Sequence, residues 1–248
     1  MKFMLKSLLL LFMFSSLGLR AQELKLEQGC YKIAADGENP EFVDLLIHGK
    51  FIMMLPDSEG TLIKGTVKGG LFDRKFRGEI DTESNPSIMG TLIADNTIDA
   101  VISAPKGHAK ICRISKVGEI RDGTRKKISM SNLKKLSMAL KKYARNTGNA
   151  FPDMEGPAGL EQLRKSGCLQ DTAHLTCPGT GTEPANEEES ISSIHTDYIY
   201  SPVPANSITA EPILWDKPGN FSDGGHVLYS DGKIMWISGR DWLENIKR

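Results

Sequence analysis

Cys168, His174 and Cys177 stand close together in the chain and are the side-chain types that bind zinc. No second pair with ligand spacing accompanies them, so a local disulfide or two buried thiols explains the cysteines better. Ser222-Asp223 and Ser230-Asp231 each set a hydroxyl beside a carboxylate, the raw material of a hydrolase. The Gly-x-Ser-x-Gly elbow that exposes such a serine between a strand and a helix is missing. No phosphate-binding or dinucleotide-binding glycine loop is present, and no pair of acids is singled out for glycoside cleavage. His226 opens an apolar run and reads as a structural residue at the edge of a strand. The chemistry-bearing residues thus point to a non-catalytic protein, with a hydrolase of unrecognised site as one alternative.

The 248 residues are 40% hydrophobic and 25% charged with zero formal net charge, as in an ordinary soluble protein. Lys and Arg are scattered over the chain as a whole, which gives no electrostatic case for nucleic-acid binding. Residues 1–21 have the form of a signal peptide: Lys2 and Lys6, an apolar run from Leu8 to Phe14, and Ala21 before Gln22. That run is shorter than the roughly 20 residues that span a bilayer, and no Cys follows it to take a lipid. The expectation is an exported soluble protein, periplasmic or extracellular, with no transmembrane helix in the mature chain; an uncleaved anchor is the alternative. Export would make Cys30, Cys112, Cys168 and Cys177 disulfide candidates, with three possible pairings.

Residues 22–117 carry short β-patterned runs near 29–35, 42–48, 51–56, 60–68, 71–80, 88–94, 97–103 and 109–115. Gly49-Lys50, Gly69-Gly70 and Asp95-Asn96 are the expected turns. Such a series predicts an antiparallel meander that closes as a barrel or packs as a sandwich. Closure would make the first and last strands neighbours and bring Cys30 towards Cys112. Gly29-Cys30-Tyr31 and Arg113 resemble the Gly-x-Trp and final-strand Arg of lipocalin-like barrels, with Tyr for Trp. The interior is then either filled by side chains or hollow, and a hollow one would suit a small-ligand carrier. Residues 118–128, polar and basic, read as a linker.

A helix is expected from Ser129 or Ser131, either able to cap it, to Gly148. Leu133, Leu136, Leu140 and Tyr143 form its apolar stripe, and Lys134, Lys135, Lys141, Lys142 and Arg145 its solvated face. Glu183 to Ser193 is acidic and reads as an exposed loop. Near the C-terminus Asp231-Gly232 joins two apolar strands, the pattern of a two-residue type I′ hairpin. That register pairs Tyr229 with Ile234 and Val227 with Trp236 on one face, Leu228 with Met235 on the other. The first of these faces is expected to receive the helix stripe.

Three segments carry a family resemblance. SNLKKLSMALKKYARNTGNAFPD, GCLQDTAHLTCPGT and the stretch from TDYIYSPV to the Asp231-Gly232 turn are similar to the pseudopilin-like, type II secretion G-type proteins with a C-terminal His-x9-Asp-Gly signature. The resemblance covers residues 125–238, and Phe221 replaces the signature His. It implies a pilin-like domain over 129–248, one long helix laid on an antiparallel sheet, so the expected class for the whole chain is α+β. It also sets Cys177 in a Cys-Pro turn beside Cys168, and suggests a calcium site at Asp216, Asp223 and Asp231, with no other cofactor. The apolar N-terminal helix through which pilins assemble is absent, so the module is not built into a pilus by that means. An envelope protein or polymer is the expected partner.

Overall fold

The computed structural model describes residues 24–48, 51–56, 67–72, 75–80, 86–103, 107–204, 209–239 and 242–246. The signal-like residues 1–21, the Gly49-Lys50 turn and most of the strand expected at 60–68 lie outside them. Eight antiparallel strands follow one another as β1 (Gly29–Ala35), β2 (Glu41–His48), β3 (Phe51–Pro56), β4 (Val67–Phe72), β5 (Lys75–Ile80), β6 (Ser87–Ala94), β7 (Thr97–Ser103) and β8 (Lys110–Gly118). Each pairs with the next, and β8 returns to β1, so the barrel is closed and has no free edge. Alternation along the strands sends Tyr31, Ile33, Leu45, Met54, Phe76 and Ile98 into one buried apolar cluster. Leu24 and Leu26 pack onto that cluster. The Tyr31 hydroxyl donates to the Glu27 carbonyl at 2.7 Å and to Asn96 Oδ1 at 3.0 Å, lacing the incoming chain to the β6–β7 turn.

Two features of the barrel differ from the sequence pattern. Gly69-Gly70 is not a turn: both residues lie inside β4, with Gly69 opposite Gly78 of β5. Glycine inside a strand suits a site where backbones approach or bend sharply, as on the wall of a small barrel. Cys30 and Cys112 do lie on neighbouring strands, but they are not bridged. Antiparallel pairing sets Cys30 against Gly118 and Cys112 against Ala35, five positions (30 to 35) along β1. At roughly 3.4 Å per residue the cysteines are about 17 Å apart, far beyond disulfide reach.

The stretch 118–128 is mostly helix. β8 runs to Gly118, and α1 (Asp122–Asn146) begins seven residues before Ser129, so three residues, 119–121, join the two elements. Arg121 holds this junction to the barrel. Its Nε donates to Asp44 Oδ2 at 2.8 Å and its backbone N–H to Oδ1 at 3.2 Å, while Thr124 Oγ1 donates to Oδ2. Asp44 points outward from β2 between the inward Val43 and Leu45, yet it is fully buried because the start of α1 covers it.

After α1 come α2 (Pro157–Lys165), a 3-10 turn (Thr172–Leu175), β9 (Tyr198–Tyr200), β10 (Pro212–Asp216), β11 (Gly224–Tyr229), β12 (Ile234–Ser238) and α3 (Trp242–Ile246). The four strands form an antiparallel sheet in the order β12-β11-β10-β9. Leu133, Leu136 and Leu140 of α1 are buried against Tyr198, Tyr200 and Leu214 of this sheet, as the apolar stripe requires. The overall class is α+β with an antiparallel meander. Among the described residues no helix is long and apolar enough to cross a membrane.

Asp231-Gly232 marks a hairpin, but the loop has three residues, Ser230 to Gly232. The Tyr229 N–H donates to the Lys233 carbonyl at 2.9 Å, and only Gly232 has positive φ (93°). That is a type I turn closed by a left-handed glycine in place of a type I′ turn. The extra residue shifts the register by one: Leu228 opposes Ile234, Val227 opposes Met235, and His226 opposes Trp236. Since side chains alternate, a one-residue slip exchanges faces. Leu228 and Ile234 therefore join the α1 core, whereas Val227 and Tyr229 pack on the other side with Trp242 and Ile246 of α3.

Three substitutions check this packing by urea unfolding of the full chain. Leu136→Ala, at a fully buried site, should cost about 2–5 kcal/mol. Gly232→Val should cost about 1–2 kcal/mol, because φ at 232 is one that a β-branched residue avoids. Met138→Ala, on the exposed face of the same helix, should change stability by no more than about 0.5 kcal/mol.

Candidate functional site

The densest group of polar side chains lies between α1 and the C-terminal sheet, centred on the fully buried Asp216 at the end of β10. Its Oδ1 accepts from Ser129 Oγ at 2.6 Å, and its Oδ2 accepts from the His226 backbone N–H at 2.7 Å. His226 Nδ1 lies 3.0 Å from the same Oδ2. Tyr198, also buried, places its hydroxyl 3.3 Å from Ser129 Oγ. Burial, with the Asp216 carboxyl nearby, holds the Tyr198 phenol well above its usual pKa, so it stays protonated and available to donate.

Ser129, Asp216 and His226 are a hydrolase set by residue type, but the order is wrong for one. The carboxylate sits between the hydroxyl and the imidazole, whereas a nucleophilic serine needs the imidazole beside it to take its proton. None of the three is more than 2% exposed, so a substrate cannot reach them. Their arrangement closes the helix onto the sheet. Ser129 is therefore not the N-cap its type suggests; it lies in the body of α1, and its hydroxyl joins two elements.

A second buried carboxylate, Asp197, organises the loop before the sheet. It accepts from the Cys177 backbone N–H at 2.6 Å, Thr180 Oγ1 at 2.7 Å and Thr182 Oγ1 at 2.6 Å. Its backbone carbonyl accepts from Lys217 N–H and Asn220 Nδ2, both at 2.8 Å. Arg125 completes the cover, with Nε donating to the Pro178 carbonyl at 2.9 Å and Nη2 to the Asn220 carbonyl at 2.6 Å. Asp197 has no sequence signal beyond a polar residue inside the TDYIY string. The apolar stripe of α1, however, is interrupted by the small polar residues Ser129, Asn132 and Ser137, all buried, and that interruption could have revealed a polar seam.

Phe221 is buried in an aromatic group. Its ring meets His226 edge-on at 6.0 Å and Trp236 at 5.5 Å, with the Arg125 guanidinium 5.3 Å from its centroid. Lys126 adds a second cation, 4.3 Å from the Trp236 ring and 2.6 Å from Asp223 Oδ2. That ion pair holds the exposed Asp223 carboxyl below its ordinary pKa.

The three aspartates considered for calcium thus have separate partners: Asp216 has Ser129 and His226, Asp223 has Lys126, and Asp231 accepts from the Lys233 N–H at 2.8 Å. Asp223 and Asp231 stand at opposite ends of β11. No group of three or more His, Cys, Asp or Glu placed to hold a metal occurs among the described residues, so Cys168, His174 and Cys177 do not assemble into one either. All four cysteines are buried and none is in a disulfide, so of the two readings of Cys168 and Cys177 the structure has the buried thiols. Burial raises the Cys112 thiol to about 11 and that of Cys177 to about 12, the latter helped by the nearby Asp216 carboxyl.

A different kind of site lies on the outer wall of the barrel. Met89, Val101 and Ile111 stand in register across β6, β7 and β8, with Met89 45% and Ile111 75% exposed. Beside them Ala34 and Ala35 leave an open groove of about 520 Å³, edged by the ion pair of Arg113 Nε and Asp99 Oδ1 at 2.7 Å. No protein-family model, curated protein or solved structure matches the chain.

Three measurements check this site. Intact mass should be the same with and without reductant, and Cys112 and Cys177 should resist alkylation at pH 8 until the chain is unfolded, because both thiols are buried and protonated there. Asp216→Ala should lower stability by about 3–5 kcal/mol in urea unfolding, since it leaves buried hydrogen-bonding partners on α1 and β11 unsatisfied.

Proposed function

We propose that the protein is a non-catalytic binding protein of the cell envelope or surface, exported by its N-terminal signal, that docks a macromolecular partner on the outer wall of its barrel. The ladder of exposed Met89, half-buried Val101 and exposed Ile111 carries this reading. Three apolar side chains in a row, set beside a groove and edged by a charged pair, have the apolar centre and polar rim of an interface. Closure of the barrel makes that wall rigid, so little conformational entropy is lost on binding.

Tyr31, Phe76 and Met54 occupy the barrel interior with their apolar neighbours, which favours docking on the wall over a small-ligand carrier. Burial of Ser129, Asp216 and His226 favours a non-catalytic role over a hydrolase. The C-terminal half is in this reading a pseudopilin-like module. The long α1 on a four-stranded antiparallel sheet supports it, with the Asp216 seam holding helix and sheet together as a scaffold.

Site-specific photocrosslinking in the producing cell tests the proposal. A photoreactive residue at Ile111 should yield one discrete adduct. The same residue at the exposed Glu79 on β5 should not, and Met89→Asp should remove the Ile111 adduct without loss of folded protein. Adducts of equal yield at positions 79 and 111, or none at 111, would overturn it.

A further inference from the structure

Charge is scattered over the chain as a whole but segregated within its C-terminal half. The span 122–146 holds eight Lys and Arg and one acid, Asp122. The span 166–216 holds eight acids and no Lys or Arg. On α1 the cations Lys127, Lys134, Lys135, Lys141, Lys142 and Arg145 are all exposed. Lys127, Lys134 and Lys141 follow one another at seven-residue spacing, about 10 Å apart along the helix, so their charges form a row. Met138, 63% exposed, stands among them.

The acidic counterpart is the loop 183–194, in which Glu183, Glu187, Glu188 and Glu189 are exposed. Its shape is held. Asn186 Oδ1 accepts from the N–H groups of Glu188 at 2.9 Å and Glu189 at 3.0 Å, and Arg164 Nη1 donates to the carbonyls of Asn186 and Glu187. Glu187 and Glu188 are thereby presented outward on a rigid turn. Ile194, 73% exposed, gives the same loop an apolar point.

Among the described residues, none of the six exposed α1 cations makes an ion pair, and neither do the four glutamates of the loop. Two fixed patches of opposite sign, each with exposed apolar surface (Met130 and Met138 on the helix, Ile194 on the loop), are left unmatched within one molecule. We infer that they match between molecules: the basic face of α1 in one copy docks on the acidic loop 183–194 of a second copy, with Met138 against Ile194 at the centre and the charges around them. Lysines and glutamates at such a rim act mainly on encounter rate and choice of partner, so the association is salt-sensitive. It uses neither the outer wall of the barrel nor the Asp216 seam, and is independent of the function proposed above.

Sedimentation velocity of the full chain tests it. At about 20 mM salt the weight-average mass should rise with concentration towards twice the monomer mass or beyond, and it should return to monomer at about 0.5 M, where screening lengths are a few ångströms. Lys134→Glu with Lys135→Glu should leave a folded monomer at low salt, as should Glu187→Lys with Glu188→Lys. An equimolar mixture of these two variants should again associate, as a one-to-one complex, because one supplies an intact loop and the other an intact helix face. A wild type that stays monomeric at low salt, or that associates equally in both variants, or a mixture that stays monomeric, would overturn the inference. A monomeric wild type that bound vesicles of anionic lipid through the same lysines would overturn it too, and would assign the face to a membrane surface.

Discussion

One buried carboxylate ties the C-terminal half together. Asp216 ends β10, accepts from Ser129 in the body of α1, and accepts from the first turn of backbone into β11 at His226. An apolar stripe alone would let a helix slide or rotate on a sheet, because hydrophobic contact is non-directional. A carboxylate on β10 with partners on α1 and β11 does not permit that, since any shift strands a buried polar group at a cost of about 1–3 kcal/mol. The Leu133, Leu136 and Leu140 stripe supplies contact with the sheet, and the Ser129 seam sets its position along the helix axis.

The same helix carries that order to the barrel. Its first turn covers Asp44 of β2, and the Arg121 and Thr124 contacts to this buried acid set the direction in which α1 leaves β8. With only 119–121 between strand and helix, there is no slack to absorb a different angle. The acid is buried only because the helix is there, so it belongs to the junction and not to the core of either half. A closed barrel on one side and a seam-locked sheet on the other make α1 a rigid element, and its outward face is correspondingly a fixed surface.

Neither carboxylate was visible as a seam in the chain. Asp44 looks like an ordinary outward residue of an alternating strand, and Ser129 like a helix cap; each takes its role from an element that folds over it. The aspartates at 216, 223 and 231 look alike in sequence and differ wholly in setting: one is buried between helix and sheet, one is paired with Lys126, and one closes a turn. Phe221 shows the same dependence. Its type marks it as apolar, but its contact with His226 and Trp236 follows from a hairpin register that the turn decides.

Local pattern was enough for what depends on local pattern. Alternation and turn residues determined most of the eight meander strands, the Asp95-Asn96 turn and the existence of the C-terminal hairpin, because side-chain period and backbone preference act within a few residues. Three- and four-residue spacing likewise determined the buried stripe of α1 and its end near Gly148. Tertiary structure alone decided the rest. Which ends of β1 and β8 meet separated Cys30 from Cys112; one extra loop residue exchanged the two faces of β11; and packing against Asp44 and the barrel let α1 start at Asp122 through residues whose composition is that of a linker. In each case the deciding energy comes from partners distant in the chain, and a sequence window does not contain them.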